Sequence, residues 1–228
     1  MSACNHVPSL SSRLDRHFVA CAAAATAAGA LLVDRVEAGI VYSGIRDIVV
    51  SNVDSTGLYV DMETGLASFP GSSVPGYDFN IFNLGTSVPP PNGVALFAPA
   101  TTAWVGYNAS GYAYADRLAA GVTVSGASAF NTPVSGNTTM VFDTYGPWQG
   151  VTTDGYLGFK FDSGGSTRYG WARVSLSGPT AWTITVHDWA YEDTGASIET
   201  GAVPEPASLG LLAAGALGLA LRRSKKHA

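Results

Sequence analysis

The chain has 228 residues and a formal charge of −5 at pH 7, which is enough length for one domain with a substantial core. Between positions 39 and 203 there are five basic and thirteen acidic residues, a formal charge of −8. With no basic stripe in that region, nucleic acid is not expected as a partner.

The first 38 residues are typical of a secretory signal peptide. Arg13 and Arg16 precede an Ala-rich apolar stretch from Phe18 to Val33, and Ala38 supplies the small residue needed before a cleavage point. Cleavage is predicted after Ala38, and the alternative is a retained membrane anchor. Both cysteines lie in this leader, so the mature domain is expected to be stabilised by packing rather than by disulfides.

Residues 39–202 are predicted to form one all-β domain, because apolar residues alternate and no helical period runs for three turns. The clearest strands are Tyr156–Asp162 and Arg168–Leu176, joined by a turn at Ser163–Ser166, with a third strand beginning near Trp182. These three predict an antiparallel meander at the centre of a sheet. Tyr112–Leu118 is the one segment interpreted as a helical turn.

Further strands are predicted at Ile45–Ser51, Leu58–Asp61, Phe79–Asn83, Val94–Phe97, Thr102–Val105, Val122–Val124 and Thr138–Phe142. So many short strands in one domain need a second layer to cover the apolar face of the first. The expected fold is a two-layer β-sandwich, jelly-roll or lectin-like, with a closed barrel as the alternative. The proline-rich stretch Val88–Gly93 predicts an extended loop.

Residues 203–228 have three parts: a Pro-Glu-Pro element, an apolar run from Ala207 to Leu221 and a basic end. The prolines disfavour helix, so a helix is expected only from Ala207 onward. Fifteen residues span about 22 Å as a helix, less than the ~30 Å of a bilayer core. Snorkelling by Arg222 and Arg223 makes a short transmembrane helix feasible, with the basic end in the cytoplasm. The alternative is a buried helix of a soluble domain.

The tail contains, in this order, Val203, Pro204, Glu205 and Pro206, the apolar run, and Arg222 and Arg223. This order resembles that of PEP-CTERM proteins, which are exported bacterial proteins. The β segments, such as Gly155–Phe161, also resemble a β-rich type that precedes such tails. The resemblance implies processing by an exosortase-type enzyme and a host that makes extracellular polysaccharide. It implies an envelope or extracellular location with transient anchoring in the inner membrane.

No catalytic residue, metal ligand or cofactor is predicted. His187 is the one histidine of the mature domain, and no Gly-x-Ser-x-Gly elbow accompanies it. A glycoside hydrolase would need two carboxylates close together, assembled from distant strands. Two groups of acidic residues are candidates for calcium ligands. The alternative is that they are charged loop residues exposed to solvent. They are Asp54, Asp61 and Glu63, and Asp188, Glu192 and Asp193.

The outward face of the meander combines aromatic rings with hydrogen-bond donors, which suits sugar binding. Its residues are Tyr156, Lys160, Tyr169, Trp171, Arg173 and His187. The alternative is that this face is a second core layer, covered by other parts of the chain. The sequence therefore predicts a non-enzymatic structural or adhesive protein, with a carbohydrate-binding module or a glycosidase as alternatives.

Overall fold

A computed structural model of the chain describes residues 39–51, 56–69, 73–84, 93–178 and 182–204. These ranges contain β-strands, turns and loops but no α-helix, so the all-β prediction is confirmed. The strands are β1 (Ile40–Tyr42), β2 (Ile48–Val50), β3 (Leu58–Val60), β4 (Ala67–Ser68), β5 (Phe79–Asn83), β6 (Gly93–Phe97), β7 (Ala103–Trp104), β8 (Gly106–Ala109), β9 (Tyr112–Ala115), β10 (Thr123–Val124), β11 (Asn137–Phe142), β12 (Gly155–Ser163), β13 (Ser166–Ser177), β14 (Thr183–Glu192) and β15 (Ile198–Glu199).

The strands form three sheets. A six-stranded sheet has the order β1-β14-β13-β12-β7, with β2 also paired to β14. A seven-stranded sheet has the order β4-β3-β5-β6-β11-β9-β8, and β10 pairs with β15 in a small separate sheet. The predicted meander β12-β13-β14 is therefore present, and it occupies the middle of the six-stranded sheet.

The main core lies between the two larger sheets, an arrangement that fits a sandwich. At its centre Trp104 packs edge-on against Phe79 and Phe159, with ring centroids 5.4 and 5.6 Å away. Leu157, Phe159 and Phe161 of β12 all enter this core, as their alternation in the sequence predicts. The facing sheet supplies residues from β3, β5, β6 and β11.

A two-residue glycine turn sets the register of the longest hairpin. Ser163 of β12 pairs with Ser166 of β13, which leaves Gly164 and Gly165 to make the turn. Their φ angles are +58° and +80°, values that glycine adopts without steric cost and that a type I′ hairpin turn requires. The turn predicted at Ser163–Ser166 is confirmed.

A β-bulge in β14 changes which residues face the main core. Arg173 pairs with Asp188 but Val174 pairs with Val186, so His187 is the extra residue. Ile184 and Val186 point into the core before the bulge, and Trp189 and Tyr191 do so after it. As a result, His187 and Asp188 both contact groups on the outer face.

The helical turn predicted at Tyr112–Leu118 is wrong, because Tyr112–Ala115 forms strand β9. Ser110 and Gly111, with φ angles of +51° and +82°, make a tight turn that returns the chain from β8 into β9. Alternation of exposed Tyr112 with buried Ala113 and Ala115 is a two-residue period, which four residues were too few to reveal.

Several predicted segments lie outside the described residues. They are the signal peptide over residues 1–38, the proline-rich loop before Gly93, the helix predicted at Ala207–Leu221, and the tail residues Glu205, Pro206, Arg222 and Arg223. Among the residues that are described, no helix is long and apolar enough to cross a membrane.

Candidate functional site

Trp171, at the centre of the predicted sugar-binding face, is buried. Its exposed fraction is 1%, and it forms a second small core with Val124, Ala190 and Ile198. Val124 and Ile198 belong to the β10–β15 sheet, which covers this part of the six-stranded sheet. Of the two arrangements expected from the sequence, the structure has the covered one, so no ring face of Trp171 is open to a sugar.

Two aromatic neighbours also pack against the Trp171 ring and help to bury it. Tyr156 packs edge-on against its ring with centroids 5.4 Å apart, and Tyr42 approaches at 6.3 Å. The indole Nε1 donates a hydrogen bond to the Ala202 carbonyl at 3.2 Å, which fastens the end of the domain to the sheet. Tyr156 and Tyr169 are half-buried against this second core.

Lys160 lies at another edge of the face. Its Nζ sits 4.7 Å from the ring centroid of Phe130, a cation–π distance. It also lines a polar recess of about 360 Å³ together with Asp162, Asn131 and several threonines. Phe130 itself packs against the second core, and Lys160 lies opposite Tyr169 in the register, so Lys160 borders the covered part of this face.

Arg173 is held by a buried carboxylate. Its Nε and Nη2 donate to the two oxygens of Asp188 at 2.9 and 2.8 Å, a bidentate pair, and its Nη1 donates to Asp154 at 3.1 Å. Tyr42 also donates its hydroxyl to Asp188 at 2.9 Å. The hydrogen bond to Asp188 raises the pKa of Arg173 above its usual value, so the guanidinium stays charged.

His187 joins this network from the bulge. Its Nδ1 lies 2.6 Å from the Asp47 Oδ1, and its Nε2 lies 3.0 Å from the Ser175 Oγ. Asp47 has a φ of +47°, uncommon for a residue other than glycine. These distances place Asp47, His187 and Ser175 in the acid, base and nucleophile positions of a catalytic triad. This grouping was not predicted from the sequence.

A second carboxylate argues against nucleophilic chemistry at Ser175. The Asp154 Oδ1 lies 3.3 Å from His187 Nε2, the same nitrogen that would take the serine proton. Because a carboxylate lies beside Nε2, this nitrogen is not directed at Ser175 alone, as it would be in a triad. The arrangement is best described as an ion-pair network linking β13, β14 and the residues before β2.

Asp54 lies outside the described residues, and the other acidic residues considered for calcium accept hydrogen bonds within the protein. Asp61 accepts hydrogen bonds from the backbone of Glu63 and Thr64 at 3.0 and 2.9 Å. Glu192 accepts from both the backbone and the hydroxyl of Thr194. Within the described ranges, no three His, Cys, Asp or Glu residues are grouped closely enough to hold a metal ion.

Asp78 is a buried carboxyl group at the start of β5. Its side chain accepts a hydrogen bond from the Met62 backbone at 2.7 Å, and the residue is only 8% exposed. Burial raises the pKa of Asp78 to about 7, helped by the charges of Asp61 and Glu63 and opposed by the Met62 hydrogen bond. Folding therefore favours the protonated form of Asp78.

This shift predicts that the protein loses stability as the pH rises from about 4 to about 7. In that window the unfolded chain has released the Asp78 proton while the folded chain still binds it, so the free energy of unfolding falls. We expect a fall on the order of 2 to 4 kcal/mol from this group. Urea denaturation at several pH values would measure it.

Asp78→Asn should remove most of this pH dependence, because asparagine can still accept the Met62 hydrogen bond and does not titrate. Asp116, whose pKa burial also raises, should leave a smaller slope of the same sign. Asp143→Asn, at an exposed position, serves as the control. Equal slopes for the unmodified chain and Asp78→Asn would show that Asp78 is already ionised in the folded state.

The last contacts of the described β domain lie just before the tail. Thr200 donates its hydroxyl to the Ala119 carbonyl and Ala202 accepts from Trp171, after which Val203 and Pro204 are exposed. Residues 202–224 match the model of the PEP-CTERM protein-sorting motif. This chain carries a PEP-CTERM motif. The PEP-CTERM motif indicates export, sorting to the envelope and processing by an exosortase.

No curated protein and no solved structure matches the chain.

Proposed function

We propose that the protein is exported, processed at its PEP-CTERM motif, and acts as a non-enzymatic structural or adhesive component of the cell envelope or extracellular matrix. The observation that carries this proposal is the motif match at residues 202–224, directly after a folded β domain. In this proposal residues 1–38 act as a signal peptide, and Ala207–Leu221 anchors the chain in the inner membrane until it is processed.

The geometry of the domain supports a non-enzymatic role. The triad-like group has a second carboxylate beside the His187 Nε2, and its Ser175 and His187 lie on adjacent strands of one sheet. Of the carboxylates that a glycosidase would need, Glu192 caps a turn and Asp188 is held by Arg173. Esterase, protease or glycosidase turnover by the purified chain that His187→Ala or Asp78→Asn abolishes would contradict this part of the proposal.

Replacing Pro204, Glu205 and Pro206 with alanine should block processing. We expect the variant to accumulate in the inner-membrane fraction with an intact C-terminus, because the recognition element is gone. The unmodified chain should lose its tail and leave that fraction. Cell fractionation with mass spectrometry of both termini measures this, and the same spectra should show an N-terminus near Gly39.

Glu199→Gln is the matched control, because it removes an exposed carboxylate a few residues before the motif. It should be processed like the unmodified chain. Normal processing of the triple-alanine variant, or an N-terminus at Met1 in a cytosolic protein, would overturn the proposed sorting.

A further inference from the structure

An aromatic groove lies on the outer face of the seven-stranded sheet, on the opposite side of the molecule's main core from Trp171. Its volume is about 430 Å³, within the range of roughly 300 to 1,000 Å³ found for small-ligand sites. It is lined by Thr56, Tyr59, Tyr77, Asn80, Phe82 and Phe97. None of these residues was identified as a site residue from the sequence.

The strand register explains why these side chains meet. Tyr59 of β3 lies opposite Asn80 of β5, and Asn80 lies opposite Phe97 of β6, so the three share one face across adjacent strands. Leu58 and Ile81, their neighbours along the strands, point into the main core. Tyr77 closes one side by packing edge-on against Tyr59, with ring centroids 4.7 Å apart.

The four rings are only partly covered. Tyr59, Tyr77, Phe82 and Phe97 are each half-buried, unlike Trp171 and the rings of the main core. Gly57 and Gly136 permit close packing beneath them, since a Cβ at Gly57 would meet Phe82 and one at Gly136 would meet the Phe97 ring. The rings are therefore packed closely against the backbone on one side and exposed to solvent on the other.

Asn80 places a polar group among these rings. The residue is 3% exposed, and its Nδ2 donates to the Thr56 carbonyl at 3.0 Å. Its Oδ1 accepts no hydrogen bond from the residues that the structure describes, although an amide oxygen can accept two. A purely apolar ligand that covered this amide would leave its oxygen without a partner, whereas a hydroxyl group could donate to it.

Among the residues that the structure describes, none of those lining the groove carries a charged side chain. Half-exposed aromatic rings beside amide and hydroxyl groups suit a ligand that has apolar C–H faces and neutral hydroxyl groups. A lipid chain or an apolar helix would leave Asn80 unsatisfied, and an anionic polymer would lack a cation. A neutral sugar satisfies both the rings and the amide.

Further aromatic residues extend this face along the sheet. Phe82, Ala95, Thr139, Tyr114 and Tyr107 lie opposite one another in successive strands. Tyr107 stacks on Tyr114 with centroids 5.3 Å apart. Four strand spacings separate Phe82 from Tyr107, a distance of about 19 Å. Ala95 and Thr139 in the middle of this row are buried, so its exposed aromatic side chains lie toward its two ends.

We propose that this groove binds a neutral, unbranched polysaccharide, with Tyr59, Tyr77 and Phe97 stacking on sugar rings and Asn80 hydrogen-bonding their hydroxyl groups. The proposal specifies the adhesive role in the proposed function and rests on it for its biological meaning. The binding itself is a property of the β domain and does not require the sorting motif to act.

Affinity electrophoresis of the full chain, purified in mild detergent, tests the proposal. The gels contain one of four neutral probes: hydroxyethyl cellulose, laminarin, dextran or galactomannan. We expect retardation by at least one probe, and at least a tenfold weaker dissociation constant for Tyr59→Ala and Phe97→Ala. Tyr59→Phe retains the ring and should bind like the unmodified chain, and Ile45→Ala removes an exposed apolar side chain elsewhere and should have no effect.

The other results overturn the proposal. Retardation by none of the four probes, or by alginate alone, would exclude a neutral-glycan site. Equal retardation of the unmodified chain and both alanine variants, when their melting temperatures match, would place binding outside the groove. A concentration-dependent dimer that Tyr59→Ala dissociates would make the groove a contact between copies of this chain. None of these results bears on processing, so a failure here leaves the sorting proposal intact.

Discussion

Replacing Trp171 with alanine is expected to lower the free energy of unfolding by about 3 to 5 kcal/mol. The indole is 1% exposed and fills the space between β13 and the β10–β15 sheet. Its removal leaves a cavity next to Tyr42 and Tyr156, and it leaves the Ala202 carbonyl without its donor. Urea denaturation followed by circular dichroism measures the loss.

Two comparisons make the Trp171 result specific. Trp171→Phe keeps most of the packing and loses the hydrogen bond, so it should cost clearly less than alanine. Ile45→Ala, at a side chain 70% exposed, should change the free energy of unfolding by less than about 0.5 kcal/mol. A loss below about 1 kcal/mol for Trp171→Ala would mean that the ring lies at the surface, as sugar binding at Trp171 would require.

Replacing Arg173 with methionine should cost about 3 kcal/mol or more. Asp188 is buried, with its side chain 6% exposed, and Arg173 supplies the charge that balances it. Without Arg173 the carboxylate keeps only the Tyr42 hydroxyl as a side-chain donor in the described part of the chain. Removing one partner of a buried pair leaves an uncompensated charge, which is much more costly than removing both.

The double variant Arg173→Met with Asp188→Leu tests this explanation. It should recover most of the lost stability, because no buried charge remains. Asp154→Ala removes the other carboxylate on Arg173, whose side chain is 44% exposed, and should cost less than about 1 kcal/mol. If the double variant is no more stable than Arg173→Met, the stabilisation comes from the packing of the arginine stem instead.

The sequence predicted the long hairpin well because its information is local. Leu157, Phe159 and Phe161 alternate without interruption, and Gly164-Gly165 can adopt the two positive φ angles that this turn requires. The bulge at His187 was not predictable in the same way, since an extra residue is defined by the partner strand. For that reason the alternation that places Ile184 and Val186 in the main core does not continue in phase to Trp189 and Tyr191, which also face it.

The burial of Trp171 and the aromatic groove both depend on contacts between residues that are far apart in the sequence. Thr123–Val124 and Ile198–Glu199 are two-residue strands, too short for any period to appear, yet they decide that Trp171 is buried. Tyr59, Asn80 and Phe97 come from three strands, and only the register brings them together. A signal for the groove was present in the large apolar residues on both faces of β5 and β6, but it does not distinguish a groove from a second core.

The hydrogen bond between Trp171 and Ala202 limits the room around the sorting motif. Ala202 is fixed to the sheet, and Pro204 follows after one intervening residue. Two extended residues reach about 7 Å. An enzyme that binds Pro204 must therefore accommodate the folded domain at the entrance to its active site, or act after β15 has detached from the domain.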